Sequence, residues 1–206
     1  MSVAWGWGPT GGVGKEEVLL KPPSANWPTD WSRDGRFIIF GQNNTQTRSD
    51  IWVLPLTSDR ARAPGKPFPF LHAEFSEFGA KLSPDSKWLV YTSNESGQNE
   101  VYIQTFPSPG GKSQLSTGGG SRPVWRRDGR ELFYIAADGK LMAVEVKTGS
   151  KLEVGAPKPL FETRLGPYGG FDISPDGRRF LLANSLEDAD RTPMTVVVNW
   201  TGEVKR

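Results

Sequence analysis

One short pattern occurs four times in this sequence, and it constrains the fold more than any other feature. In each copy an apolar residue lies three positions before an aspartate, and a basic residue lies two positions after it. The three residues at positions four to six after the aspartate are all apolar. The aspartates are Asp34, Asp85, Asp128 and Asp176, at intervals of 43 to 51 residues. This agreement predicts one structural unit repeated along the chain.

The pattern has the chemistry of a tight hairpin. Proline presets φ, aspartate accepts hydrogen bonds from nearby backbone amides, and glycine tolerates a positive φ. In the second copy Ser86 replaces the glycine, which predicts either a slightly strained turn or a different turn type. The apolar run after each turn is short and rich in aromatic and branched residues, as buried strands are. We therefore assign structural turn roles to Asp34, Gly35, Asp85, Asp128, Gly129, Asp176 and Gly177.

The repeat predicts an all-β fold. Each unit holds about four strands in 43 to 51 residues, and no helical period is visible. This is the size of a β-propeller blade, so we predict a propeller of about four four-stranded blades. The predicted blades are 23–72, 73–117, 118–163 and 164–206, within a propeller domain 15–206 that follows a flexible or divergent segment 1–14.

How the ring closes is a separate question. The fourth unit lacks an obvious outer strand after Trp200, and Glu17–Leu20 reads as a strand without a blade of its own. We predict that Glu17–Leu20 pairs with Thr195–Trp200 and closes a four-bladed ring. The alternative, which the sequence leaves open, is that the chain is the tail of a larger propeller.

Composition limits the partners. The chain of 206 residues has 25 Lys+Arg and 23 Asp+Glu, a net charge of +2, which is too near zero to predict binding to nucleic acid or an anionic membrane. It has no cysteine, so disulfides and thiolate chemistry are excluded. No apolar run approaches the roughly 20 residues that cross a bilayer. We expect no nucleic-acid partner and no direct insertion into a membrane.

Two groups of segments resemble known propellers. The hairpins Ser83–Ser86 and Ser174–Gly177, each followed by an apolar strand, and the strand region Ser93–Phe106 resemble the TolB-type, WD40-like propeller repeat. Residues 15–206 also resemble the C-terminal propellers of bacterial serine/threonine protein kinases. The segments that carry this second likeness are Ile51–Leu56, Ser116–Gly129, Gly139–Gly149 and Thr195–Trp200. The kinase-linked rings are larger than four blades, which favours the alternative of a partial propeller. Both resemblances imply a protein or peptide ligand on the extracytoplasmic side.

Catalytic motifs are missing from the sequence. Protein kinases need a glycine-rich loop, a strand lysine, an HRD-type loop and a DFG motif, and α/β-hydrolases need a G-x-S-x-G elbow. The sequence has no HRD-type loop, no DFG motif and no G-x-S-x-G elbow, and His72 is the only histidine. We expect no catalytic, cofactor-binding or metal-binding residues. Two alternatives remain: a C-terminal fragment of a larger kinase without independent activity, and a hydrolase or lyase with a central-channel site. For the latter, the innermost strands offer Ser83, Asp172 and Arg122 but no histidine.

The remaining prediction is a non-catalytic interaction or sensor module. In a propeller, the loops between blades and between the second and third strands of each blade form a working face that rigid blades hold in place. Aromatic or basic residues in or near these loops are candidates for contact with a partner. They are Arg48, His72, Phe75, Phe78, Arg122 and Tyr168.

Overall fold

The computed structural model describes residues 5–7, 17–21, 24–46, 48–56, 65–149, 151–165, 169–183 and 195–198. These ranges form strands and turns and contain no helix, and so no helix that could cross a membrane. The strands are β1 (Trp5–Trp7), β2 (Glu17–Leu20), β3 (Asn26–Trp31), β4 (Phe37–Asn44), β5 (Arg48–Pro55), β6 (Phe68–Leu71), β7 (Glu77–Leu82), β8 (Trp88–Ser93), β9 (Glu100–Thr105), β10 (Ser113–Gln114), β11 (Gly120–Trp125), β12 (Glu131–Ala136), β13 (Lys140–Thr148), β14 (Leu152–Val154), β15 (Lys158–Glu162), β16 (Phe171–Ile173), β17 (Arg179–Leu182) and β18 (Thr195–Val198).

Strands that are consecutive in sequence form antiparallel sheets. Blade 1 has the order β3-β4-β5-β6, and blade 2 has β7-β8-β9-β10. Blade 3 has β11-β12-β13, and both β14 and β15 pair with the long strand β13. Blade 4 has β16-β17-β18, and β1 and β2 form a two-stranded sheet ahead of blade 1. This succession of sheets is a β-propeller arrangement, and the prediction of an all-β propeller is confirmed.

Strand β8 shows how neighbouring blades pack. Its side chains alternate between two faces, as in any strand. Leu89 and Tyr91 join a buried cluster with residues of blade 1, whereas Trp88 and Val90 join a second cluster with residues of blade 3. Equivalent clusters lie between β2 and blade 1 and between blades 3 and 4. An interior blade is therefore apolar on both faces, which explains the continuous apolar runs in the repeat.

The Asp-centred hairpins are held by local hydrogen bonds. In blade 1, Ser32 Oγ donates to Asp34 Oδ1 over 2.7 Å, and the Arg36 amide donates to the same oxygen over 3.0 Å. In blade 3, Arg126 stands in place of the serine, and its guanidinium donates to both oxygens of Asp128 over 2.9 and 2.7 Å. These bonds lower the pKa of Asp128 to about 2. Because all partners lie within two residues, the hairpin is specified locally.

The residue after each aspartate takes the left-handed conformation. Gly35 has φ of 75° and Ser86 has φ of 57°. Glycine adopts this region freely, whereas a residue with a Cβ atom is strained there by about 1–2 kcal/mol. The structure therefore shows the strained form of the second turn rather than a different turn type.

The pairing of Glu17–Leu20 differs from the predicted ring closure. β2 pairs with β1, with Glu17 opposite Trp7, and β18 pairs with β17. Leu19 is buried in a cluster with Ile38 and Phe40 of blade 1. The physical reason is that in this position Leu19 is buried against an apolar face of blade 1. Trp200, the end of the predicted partner strand, lies outside the described residues.

Two apolar side chains stay in solvent on the terminal sheets. Val18 is 53% exposed, and Leu181 in blade 4 is 46% exposed. In a closed ring of these sheets the two faces would pack against each other and bury both residues. Within the described part of the chain these two faces are therefore not packed against each other.

Candidate interaction site

The ends of the strands define two faces. The hairpin face carries the Asp-centred turns, and the loop face carries the β4–β5 turn, the β8–β9 turn and the connections between blades. On the loop face, where blades 1 and 2 meet, lies a group of polar residues that we call the loop-face site: Asp50, His72, Phe75, Glu77 and Glu95. Its residues come from β5, from the β6–β7 connection, from the start of β7 and from the β8–β9 turn.

A buried carboxylate anchors the β6–β7 connection. The Asp50 side chain is only 2% exposed, and His72 Nδ1–H donates to its Oδ2 atom over 2.7 Å. Asn44 Nδ2 donates to the same oxygen over 2.9 Å. The His72 side chain is itself 52% exposed. A buried carboxylate needs such donors because its desolvation is costly.

Glu77 is buried in a less favourable environment. It is 2% exposed, and its Oε2 atom has no hydrogen-bond partner among the described residues. Burial, followed by the negative charges of Asp50 and Glu95, raises the pKa of Glu77 to about 7, although Lys112 and His72 oppose this. Burial and the neighbouring negative charges therefore favour the protonated form of this carboxyl group.

An ion pair forms the rim of the site on blade 2. Lys112 Nζ lies 2.6 and 2.7 Å from the two oxygens of Glu95. The same ammonium lies 5.4 Å from the centre of the Tyr102 ring, within range for a cation–π contact. The pair holds Glu95 in place and leaves the Lys112 side chain 44% exposed.

Four of the six predicted contact residues lie around this site. Arg48 is exposed, with φ of 74°, at the start of β5. His72 and Phe75 lie on the β6–β7 connection, and Phe75 is 38% exposed. Phe78 is half-buried in β7. The structure thus brings residues from three segments to one interface between blades.

The other two predicted residues lie elsewhere. Arg122 is half-buried in β11 of blade 3, with φ of 58°, so it is not part of the loop-face site. Tyr168 lies outside the described residues. Sequence analysis also missed Asp50, Glu77 and Glu95. One sequence feature could have indicated two of them, namely an acidic residue next to an apolar strand segment. Asp50 directly precedes Ile51–Leu56, and Glu77 is the first residue of β7.

A second candidate lies on the hairpin face, where the first strands of all four blades meet. It is a cavity of about 370 Å³, which we call the central pocket. Its lining comes from β3, β7, β11 and β16 and from two Asp-centred hairpins. The lining residues are Asp30, Trp31, Ser32, Arg33, Lys81, Leu82, Ser83, Pro84, Val124, Trp125, Phe171 and Asp172.

Hydrogen bonds between blades build the central pocket. Asp30 Oδ2 of blade 1 accepts from the Leu82 amide of blade 2 over 2.7 Å, and Lys81 Nζ donates back to the Thr29 carbonyl. Trp125 Nε1 of blade 3 donates to the Lys81 carbonyl over 3.3 Å. Burial raises the pKa of Asp30, although the Leu82 amide and the Lys81 charge act in the opposite direction.

Ser83 and Asp172, two of the residues considered for central-channel catalysis, both line the central pocket. Ser83 Oγ donates to Asp85 over 2.6 Å and accepts from the Trp88 amide over 3.0 Å, so it serves the hairpin. Asp172 lines the central pocket, but Arg122 does not. Among the described residues no group of three or more His, Cys, Asp or Glu side chains could hold a metal ion.

Comparisons with known proteins show the fold class. No family model and no curated protein matches this sequence. TolB from Acinetobacter baumannii is 17% identical with a TM-score of 0.66, over 96% of this chain and 49% of that one. A TolB candidate from Agrobacterium tumefaciens is 16% identical with a TM-score of 0.55, over 91% and 82%. A puromycin-hydrolyzing peptidase from Mycobacterium tuberculosis is 16% identical with a TM-score of 0.56, over 82% and 30%.

These similar structures include an enzyme as well as TolB. The chain spans about half the length of the first of them, at 49%. The resemblance to kinase-linked propellers receives no support from these structures. At such low identities the likeness extends to the fold alone, and by its fold this chain is similar to TolB-type β-propeller proteins.

Proposed function

We propose that this chain is a non-catalytic β-propeller module that binds a protein or peptide partner through the loop-face site. The observation that carries the proposal is an exposed aromatic side chain, Phe75, next to the half-exposed His72 on a connection that is anchored to buried Asp50. Aromatic residues on a fixed base are typical anchors of protein interfaces, because they bury a large area at little entropic cost.

The charges around Phe75 support a polar rim. Arg48, Glu74 and Lys112 are all partly or fully exposed near the strand ends of blades 1 and 2. An apolar centre with a charged rim is the usual anatomy of a protein interface.

A peptide-display experiment tests the proposal. Peptides selected from a random library on the wild-type protein are measured against Phe75→Ala, His72→Ala and a control, Val154→Ala. Val154 is 37% exposed on blade 3, so its removal deletes a similar exposed apolar group away from the site. We expect Phe75→Ala to weaken binding by at least about tenfold, as for an interface anchor, and Val154→Ala to leave it unchanged.

Two results would contradict the proposal. One is equal binding of the selected peptides to wild type and to Phe75→Ala, with unfolding curves showing that both are folded. The other is turnover of lactone or blocked-peptide substrates by the wild-type protein that Asp172→Asn abolishes. That second result would instead support the alternative of a hydrolase with a central site.

A further inference from the structure

The central pocket has aromatic walls. Trp31, Trp125 and Phe171 line it, and Trp31 is 44% exposed although it lies on the first strand of its blade. Exposed indole faces attract cations, and tryptophan does so more strongly than other rings. The cavity volume of about 370 Å³ lies near the lower end of the range for ligand sites, roughly 300–1,000 Å³.

Two carboxylates of the pocket are held by backbone amides rather than by ion pairs, although the charges of Lys81 and Arg33 also act on Asp30. Asp30 accepts from the Leu82 amide, and Asp172 Oδ1 accepts from the Ile173 amide over 2.8 Å. Neither forms an ion pair with any described residue. Both come from first strands, of blades 1 and 4, and both line the same cavity.

The two cations that line the pocket are held by carbonyl groups instead. Lys81 Nζ donates to the Thr29 carbonyl, and Arg33 Nη1 donates to the Arg127 carbonyl over 2.9 Å. The Arg33 contact joins the hairpins of blades 1 and 3. These bonds hold both cations on backbone carbonyl groups rather than on a carboxylate.

We propose that the central pocket binds a cationic group, an ammonium or guanidinium, against Trp31 and between the carboxylates of Asp30 and Asp172. The group is carried either by a Lys or Arg side chain of a peptide or by a free amine. This site lies at the opposite strand ends from the loop-face site, so it does not depend on the proposed function. Aromatic faces together with carboxylates are the groups that recognise such cations.

The positive charge of Arg33 distinguishes a cation site from an anion site. A cation in the pocket is repelled by Arg33, whereas an anion is attracted. Removing this charge in Arg33→Gln should therefore strengthen the binding of a cation. If the pocket were instead an anion site, the same variant would weaken binding.

The experiment uses the full chain and three probes. They are N-acetyl-arginine methylamide, its uncharged isostere N-acetyl-citrulline methylamide, and the free diamine putrescine. Binding is followed by the NMR shift of the Trp31 indole N–H, assigned as the signal that Trp31→Phe removes. We expect saturable binding of the arginine probe that is tighter than that of the citrulline probe by up to about fivefold, as for a partly exposed charge pair.

Matched variants locate the effect. Asp172→Asn removes an exposed pocket carboxylate, and Glu153→Gln removes one exposed carboxylate on β14, outside the pocket lining. We expect Asp172→Asn to weaken the arginine probe by about fivefold more than Glu153→Gln does. Trp31→Leu should weaken it by a similar factor through loss of the ring face.

Three results would each overturn the proposal: equal binding of the arginine and citrulline probes, no difference between Asp172→Asn and Glu153→Gln, or weaker cation binding by Arg33→Gln. The diamine distinguishes the two sources of the cation. If the arginine probe binds and putrescine does not, the cation comes from a side chain of a partner. If both bind similarly, free amines are ligands too.

Discussion

Replacing Glu77 by glutamine is expected to change how the stability of this protein depends on pH. In the folded state the pKa of Glu77 is about 7, against 4.5 for the unperturbed group. The folded state thus binds the proton more tightly than the unfolded state does. Its contribution to stability is fully present below pH 4.5 and is lost as pH rises to about 7.

The difference between these pKa values gives the magnitude. At about 1.4 kcal/mol per pKa unit, the wild type should lose roughly 2–3 kcal/mol of unfolding free energy from this group between pH 5 and pH 8. Glutamine cannot ionise, so Glu77→Gln should lack this loss. Relative to wild type, the variant should therefore gain about 2–3 kcal/mol over the same interval.

Urea unfolding at several pH values between 5 and 8 measures this effect. Glu153→Gln, which removes an exposed carboxylate with the same change in charge, is the control and should follow the wild-type profile. Parallel profiles for wild type and Glu77→Gln would refute the reasoning, since they would show that Glu77 titrates alike in the folded and unfolded chains.

Two further substitutions test the packing and the turns. Phe180→Ala should lower the unfolding free energy by about 3–5 kcal/mol, because this fully buried ring makes an edge contact with Phe133 at 5.0 Å between centroids. In the same urea assay the exposed neighbour Leu181→Ala should cost much less, and comparable losses would contradict the assigned faces of β17. Ser86→Gly should raise stability by roughly 0.5–1 kcal/mol, because it removes left-handed strain at φ of 57°. A loss of stability there would show that the turn is not strained.

The repeat made the blades predictable. The hydrogen bonds of the hairpins join residues within a few positions of each other, as between Ser32 and Asp34. The apolar run after each turn includes consecutive residues, whose side chains point to opposite faces of the strand. It therefore indicates a strand that is buried on both faces, as β8 is. These features depend on local sequence, so a single chain was sufficient to infer an all-β propeller.

Pairing partners were harder to predict. Glu17–Leu20 was expected to be a strand, and it is one, but it pairs with β1 and packs on blade 1. A short apolar strand can pair with the edge of more than one sheet. Which edge it pairs with depends on the apolar face that it can bury there, and therefore on where the sheets lie in space.

The amino-acid sequence by itself determined the strands, the hairpins and their apolar faces, because these follow from interactions over a few residues. Only the tertiary structure decided which polar groups meet. The contact between Asp50 and His72 spans 22 residues, and the walls of the central pocket come from strands of all four blades. Burial and neighbouring charge set the properties of such groups, and both are produced by packing rather than by position along the chain.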